Sequence, residues 1–140
     1  MGVTSLAQLA GRWRLDRHIR DHRAAAEGFL TGEAVFTPQA GGLEYRETGE
    51  LRYAGQSPVR AERRYLWRES AGRVAVLFDD GRPFHDFPLG AGLAEAVHDC
   101  APDRYGVSYD FTDVPRWRAV WRVRGPRKDY LMTSRYAPAD

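Results

Sequence analysis

The chain has 140 residues, a net charge of +2 and 43% hydrophobic residues, which predicts one globular domain spanning residues 1–140. No apolar run approaches the roughly 20 residues that a membrane span needs, and the N-terminus lacks the basic and apolar regions of a secretory signal. Cys100 is the only cysteine, which excludes an internal disulfide. These features predict a cytoplasmic protein with no membrane contact.

The charged residues are interleaved rather than clustered. There are 21 basic and 19 acidic residues, and Lys128 is the only lysine. A nucleic-acid-binding domain concentrates its basic residues on one patch or helix, so nucleic acid is not expected as a partner. The preference for arginine and alanine is typical of GC-rich codon usage and indicates a bacterial source.

The chain begins with a short turn that leads into a strand. Ser5 and Gln8 have the spacing of a capping box, and Gly11 is suited to end the turn. The residues that follow alternate between polar and apolar, which is the pattern of a half-buried strand. One face of this strand carries Trp13, Leu15, Arg17 and Ile19.

Further strands follow at even intervals, separated by glycine- and proline-containing turns. We predict them at residues 28–37, 43–53, 60–69, 73–78, 84–89, 95–100 and 105–111, before a closing hairpin at 117–136. Residues 95–100 have helical propensity, but their place in a meander favours a strand. Eight to ten strands with short connections predict an all-β fold, an antiparallel up-and-down barrel.

The closing hairpin is rich in aromatic residues and alternates strictly on both of its strands. Gly125 and Pro126 form its turn. The first strand places Trp117, Ala119, Trp121 and Val123 on one face; the second places Tyr130, Met132, Ser134 and Tyr136 on one face and Leu131, Thr133 and Arg135 on the other.

The segment Gly11-x-Trp13, placed after a short N-terminal turn, resembles the first-strand signature of lipocalins. That resemblance implies that Trp13 lies at the closed end of a barrel, and that Arg135 from the last strand packs across its indole and closes the barrel. Stacking of a guanidinium on an indole is physically favourable. The chain lacks the disulfides and signal peptide of secreted lipocalins, so their transport role is not implied.

The whole set of motifs resembles an uncharacterised bacterial family, a domain of unknown function with a calycin-like barrel. The segments that carry this resemblance are Gly11–Leu15, Asp80–His85, His98–Cys100, Asp103–Tyr105 and Gly125–Tyr130. They cover almost the whole chain. The resemblance implies the fold and implies no activity.

Polar residues on apolar strand faces indicate where a ligand could bind. Arg17, Arg63 and Arg135 fall on such faces, and a buried arginine is costly unless it is paired. They indicate either a satisfied interior network or a bound anionic ligand. The predicted ligand-binding residues supply stacking, hydrogen bonds or charge, and are Arg63, Tyr65, His85, His98, Tyr109, Trp121, Lys128 and Tyr130.

The two histidines on neighbouring motifs leave several interpretations open. If their strands are adjacent, His85, His98 and Cys100 point into one cavity, and such side chains can bind zinc. Their spacing matches no metal-ligand motif, so we predict no metal and no cofactor. They could equally be ordinary hydrogen-bonded residues of the barrel interior.

The most favoured function is the binding of a small, partly apolar molecule, with an anionic group as an option, inside the barrel. The alternative is a small enzyme, an isomerase, cyclase or hydrolase, that uses His85 or His98 as a general base in the same cavity. A third hypothesis is an interaction module whose barrel is filled with side chains. The expected partner is a small molecule, and a homodimer is left open.

Overall fold

The computed structural model describes residues 2–139 as one short 3-10 turn followed by ten antiparallel strands. The turn spans Leu6–Leu9, and the strands are β1 Gly11–Asp21, β2 Ala26–Gln39, β3 Gly42–Tyr53, β4 Val59–Ser70, β5 Arg73–Phe78, β6 Pro83–Pro88, β7 Leu93–Cys100, β8 Asp103–Asp113, β9 Arg116–Gly125 and β10 Lys128–Pro138. The all-β fold is confirmed. No helix long and apolar enough to cross a membrane occurs between residues 2 and 139.

The strands form one sheet in the order β6-β5-β4-β3-β2-β1-β10-β9-β8-β7. Neighbours in the sheet are neighbours in the chain, except that β1 pairs with β10. The sheet curls into a nearly closed barrel whose first and last strands are joined, as an up-and-down barrel predicts. The interruption lies between β6 and β7, which form the two edges of the sheet.

Alternation of side chains decides which residues fill the barrel. On β1, Trp13, Leu15, Arg17 and Ile19 are buried while the residues between them are more exposed. On β2, a Cβ atom at Gly32 would collide with the carbonyl oxygen of Thr48 on β3. Only glycine therefore fits at this crossing of β2 and β3.

The 3-10 turn closes one end of the barrel. Ser5 and Gln8 form the predicted capping box, and Leu6 and Leu9 are buried in the core. The amide of Leu6 donates to Glu69 Oε1 of β4 at 2.8 Å. We call this the closed end; the opposite end carries the β1–β2, β3–β4, β5–β6, β7–β8 and β9–β10 turns and is the open end.

The predicted contact between Trp13 and Arg135 is wrong. Trp13 does lie at the closed end, where its Nε1 donates to the carbonyl of Leu9 at 2.9 Å and its ring packs edge-on against Trp117. Arg135 is exposed on the outer face of β10, because its inward-facing neighbours are Ser134 and Tyr136. Indole–indole packing and a main-chain acceptor replace the guanidinium.

Candidate functional site

A cavity of about 270 Å³ lies inside the barrel. Seven of the eight predicted ligand-binding residues line it: Arg63, Tyr65, His85, His98, Tyr109, Trp121 and Tyr130. The other lining residues are Arg17, Tyr45, Glu47, Trp67, Val76, Phe78, Phe84, Cys100, Tyr105, Trp117, Ala119, Met132 and Tyr136. The third hypothesis, a barrel filled with side chains, is therefore not favoured.

The cavity runs from a fully buried region toward the open end. Trp67 and Tyr109 are buried in its deeper part. Tyr65, Trp121 and Tyr130 are half-buried. Tyr65 lies two residues nearer the open end than Trp67 on β4, and Tyr130 is the third residue of β10, which begins at that end. A molecule entering from solvent meets these half-buried rings first.

Phe84 of β6 lies at the centre of the aromatic wall. Its ring stacks on Trp121 with 5.1 Å between centroids and an interplanar angle of 11°. It also stacks on Phe78, with centroids 4.5 Å apart, and contacts His98 edge-on. Such a wall of parallel rings is suited to a flat apolar or aromatic molecule.

His85 is a buried, neutral imidazole. Its Nε2 lies 2.8 Å from the hydroxyl of Tyr109, and its Nδ1 has no hydrogen-bond partner among the described residues. Burial, and secondarily the nearby His98, lowers the pKa of His85 to about 4. At neutral pH the side chain therefore carries no charge.

The structure brings His85, His98 and Cys100 to the same cavity, as the sequence hypothesis required. Cys100 is exposed, and His98 is half-buried. Within residues 2–139, no group of three or more histidine, cysteine, aspartate or glutamate side chains has the geometry to hold a metal ion.

A buried ion pair forms one wall of the cavity. Arg17 of β1 donates from its two terminal nitrogens to Glu47 of β3 at 2.7 and 2.8 Å. Its Nε donates to Ser134 of β10 at 2.7 Å. Burial opposes the ionisation of Glu47, but the hydrogen bonds from Arg17 outweigh this effect and lower its pKa. The bidentate geometry compensates both charges.

Two tyrosines extend this pair into a hydrogen-bonded chain. Tyr45 donates to Glu47 Oε1 at 2.6 Å, and the hydroxyls of Tyr45 and Tyr136 are 2.8 Å apart. Because Tyr45 has one proton and gives it to Glu47, Tyr136 must be the donor in the second bond. Burial raises the pKa of Tyr136 to about 12, so it stays protonated.

Arg63 is the one cavity-lining cation that forms no salt bridge within residues 2–139. It lies on β4 with an exposed side chain. Lys128 is the one predicted ligand-binding residue that does not line the cavity, although it contacts the cavity-lining Tyr105. Its Nζ is 3.0 Å from Asp103 Oδ2 and donates to the hydroxyl of Tyr105 at 2.9 Å. Asp103 therefore neutralises Lys128 and leaves Arg63 as the uncompensated charge.

Sequence reasoning missed Glu47 and Phe84 as members of the site. Glu47 shares strand parity with Leu43 and Tyr45. An acidic residue on this inward face was therefore the sequence feature that could have placed Glu47 in the site. Phe84 was less accessible to such reasoning, because the β5–β6 register shifts between Val76 and Leu77 and the alternation of β6 is broken there. Phe84 and its chain neighbour His85 are both buried.

The fold and the site define an antiparallel β-barrel with an internal cavity that is largely aromatic and contains a few polar groups. The chain belongs to the family described as "Family of unknown function (DUF6314)", whose profile matches residues 9–138. The resemblance of the motifs to a family of unknown function is thereby confirmed. No curated protein matches the sequence.

Two solved structures share the barrel. An S-type phycobiliprotein lyase, CPES from Guillardia theta, is similar with a TM-score of 0.66 and 10% identity over 96% of this chain and 90% of that one. A protein of unknown function from the DUF3598 family of Nostoc punctiforme has a TM-score of 0.59 and 8% identity over 97% of this chain. The match covers 49% of the second protein. At these identities the likeness shows the fold alone.

Proposed function

We propose that the protein binds a small, partly apolar molecule with one negative charge inside the barrel. The observation that carries this proposal is the cavity itself. Its rings supply apolar surface, and its charged lining consists of the Arg17–Glu47 pair and the unpaired Arg63. Since His85 is uncharged and Glu47 compensates Arg17, the guanidinium of Arg63 is the positive charge left for a ligand to compensate.

The volume bounds the size of the ligand. An apolar cavity of roughly 150 Å³ holds one benzene molecule, so about 270 Å³ is suited to a molecule of about two rings. The likeness to a phycobiliprotein lyase supports the use of this barrel for small-molecule binding.

A calorimetric titration with naphthalene-2-carboxylate tests the proposal. We expect saturable binding in the micromolar to millimolar range that small fragments reach. Ala119→Phe, which places a ring in the cavity, should abolish this binding. Ala40→Phe, in the exposed β2–β3 turn at the closed end, is the matched control and should bind as the wild type does. Equal binding by both variants would place the probe outside the barrel.

The natural ligand is sought separately by native mass spectrometry of the protein purified from its own host. A retained mass that disappears in Ala119→Phe identifies the ligand. A mass that persists in this variant is bound elsewhere.

The small-enzyme alternative uses the same cavity. His85 is a weak base with a pKa of about 4, whereas a general base works best with a pKa near the working pH. His98, half-buried near the open end, would be the base in that case. His98→Gln separates the two hypotheses once the ligand is known: loss of turnover with retained affinity supports an enzyme, and unchanged behaviour supports a binding protein.

A further inference from the structure

Arg63 and Glu47 are directly opposite each other on neighbouring strands. They are cross-strand partners in the β3–β4 ladder, and both line the cavity. Side chains in this position have Cβ atoms about 4.5–5.5 Å apart, which is well within the reach of an arginine and a glutamate. Opposite charges in such a pair ordinarily form a salt bridge, yet within residues 2–139 Arg63 forms none.

Glu47 is already occupied by other donors. Arg17 reaches it from β1 and takes both oxygens, at 2.7 and 2.8 Å. Tyr45 adds a third hydrogen bond at 2.6 Å. The Arg17–Glu47 pair is almost inaccessible, with side-chain exposures of 7% and 4%, so a buried carboxylate is fully satisfied before Arg63 can compete for it.

We propose that Arg17 is a positioning residue that determines ligand charge: by saturating Glu47 it keeps the guanidinium of Arg63 free to bind an anionic group of the ligand at the cavity mouth. This inference rests on the proposed function. Arg17 thereby affects binding although it contacts Glu47 and not the charged group of the ligand. The ligand then enters with its rings toward Phe84 and Trp121 and its anionic group toward solvent.

The proposal gives the buried ion pair a role besides stability. An apolar pair would close the barrel equally well, since buried ion pairs are often replaceable by hydrophobic residues without loss of stability. A lone glutamate at position 47 would draw in Arg63. The combination of Arg17 and Glu47 leaves the second arginine uncompensated.

The test compares two probes of similar shape: naphthalene-2-carboxylate, which is negatively charged, and 2-naphthalenemethanol, which is uncharged. Wild-type protein should prefer the carboxylate by roughly tenfold, the effect of one charge-assisted hydrogen bond at a partly solvated site. Arg63→Gln should lose this preference, measured as the ratio of the two affinities of the same variant.

The positioning role is tested by removing Arg17. In Arg17→Met, Arg63 turns to Glu47, and the preference for the carboxylate should fall as far as in Arg63→Gln. In Arg17→Met/Glu47→Leu the competing carboxylate is gone, and the preference should return. A residue with a merely structural role would not show this loss and rescue in the ratio of two affinities.

Arg17→Lys keeps the proposal testable if Arg17→Met does not fold. A lysine is a point charge that does not match both carboxylate oxygens, so one oxygen becomes available to Arg63, and the preference should fall several-fold. An unchanged preference in a folded Arg17 variant overturns the proposal, as does failure of the double variant to regain it. Equal affinity of the wild type for both probes overturns the role of Arg63 while cavity binding stands, and binding of neither overturns both.

Discussion

The imidazole of His85 and the hydroxyl of Tyr109 are 2.8 Å apart, although β6 and β8 are not neighbours in the sheet. Their rings are nearly parallel, with an interplanar angle of 23°. This contact spans the interruption of the barrel, because β6 is one edge and β8 lies just inside the other. Side chains therefore hold the two edges of the sheet together.

The buried His85 makes stability depend on pH. Its pKa is lowered from 6.5 to about 4, so between these pH values the unfolded chain binds a proton that the folded chain does not. The free energy of unfolding should therefore fall as the pH drops through this window, by up to about 3 kcal/mol. Urea unfolding of wild type and His85→Gln between pH 7.5 and 4.5 measures the effect.

The exposed His22 provides the control for this experiment. His22→Gln should retain the pH dependence of the wild type, and His85→Gln should lose most of it. The contribution of Glu47, whose pKa is lowered from 4.5, is lost only at lower pH. A wild-type profile that stays flat from pH 6.5 to 4.5 contradicts a neutral buried His85.

The hydrogen-bonded chain predicts an order of stabilities for two tyrosine variants. Tyr45→Phe removes both hydrogen bonds of this hydroxyl, including the one to the charged Glu47, and should cost about 2–3 kcal/mol. Tyr136→Phe removes only the bond between the neutral hydroxyls and should cost about 1 kcal/mol. Urea denaturation at pH 7 measures both. A larger loss for Tyr136→Phe than for Tyr45→Phe would contradict this order.

Trp13 and Arg135, which the sequence predicted to be in contact, should differ in their contribution to stability. Trp13→Ala removes a buried indole and should lower the free energy of unfolding by about 3–5 kcal/mol. Arg135→Ala alters an exposed side chain and should change it by no more than about 0.5 kcal/mol. Thermal unfolding of the two variants checks this prediction. A comparable loss of stability in Arg135→Ala would show that the Arg135 guanidinium does contribute to closing the barrel.

Glu69 attaches the 3-10 turn to the barrel. It accepts the amide proton of Leu6 at 2.8 Å, and Glu69→Ala would leave this partly buried donor without a partner, at a cost of about 1–2 kcal/mol. In Glu69→Gln the amide oxygen can still accept the bond, so most of the stability should remain. Equal losses in the two variants would show that charge, rather than this hydrogen bond, is what matters.

Much of the fold was predictable because the strands alternate. Trp117 and Tyr136 were placed on inward faces by parity alone, and they stack with centroids 3.8 Å apart. The same parity placed Arg135 with Leu131 and Thr133, away from that face. The wrong contact came from the resemblance to lipocalins, and the alternation in this sequence already argued against it.

The candidate site was predictable only in part. The side chains that line the cavity could be found from parity, as Tyr65 and Tyr109 were. The partner of Arg17 could not, because Arg17 and Glu47 are on strands that are not adjacent, and their pairing across β2 depends on the curvature of the barrel. The position of the interruption between β6 and β7 likewise depends on the closure of the whole sheet, which no local pattern records.

The interruption also determines how the barrel can change size. Along the rest of the circumference, widening the barrel would break main-chain ladders. Between β6 and β7 it requires the separation of side chains such as His85 and Tyr109, which share one hydrogen bond. The β6–β7 interruption is therefore the part of the circumference where the barrel can widen without breaking a main-chain ladder.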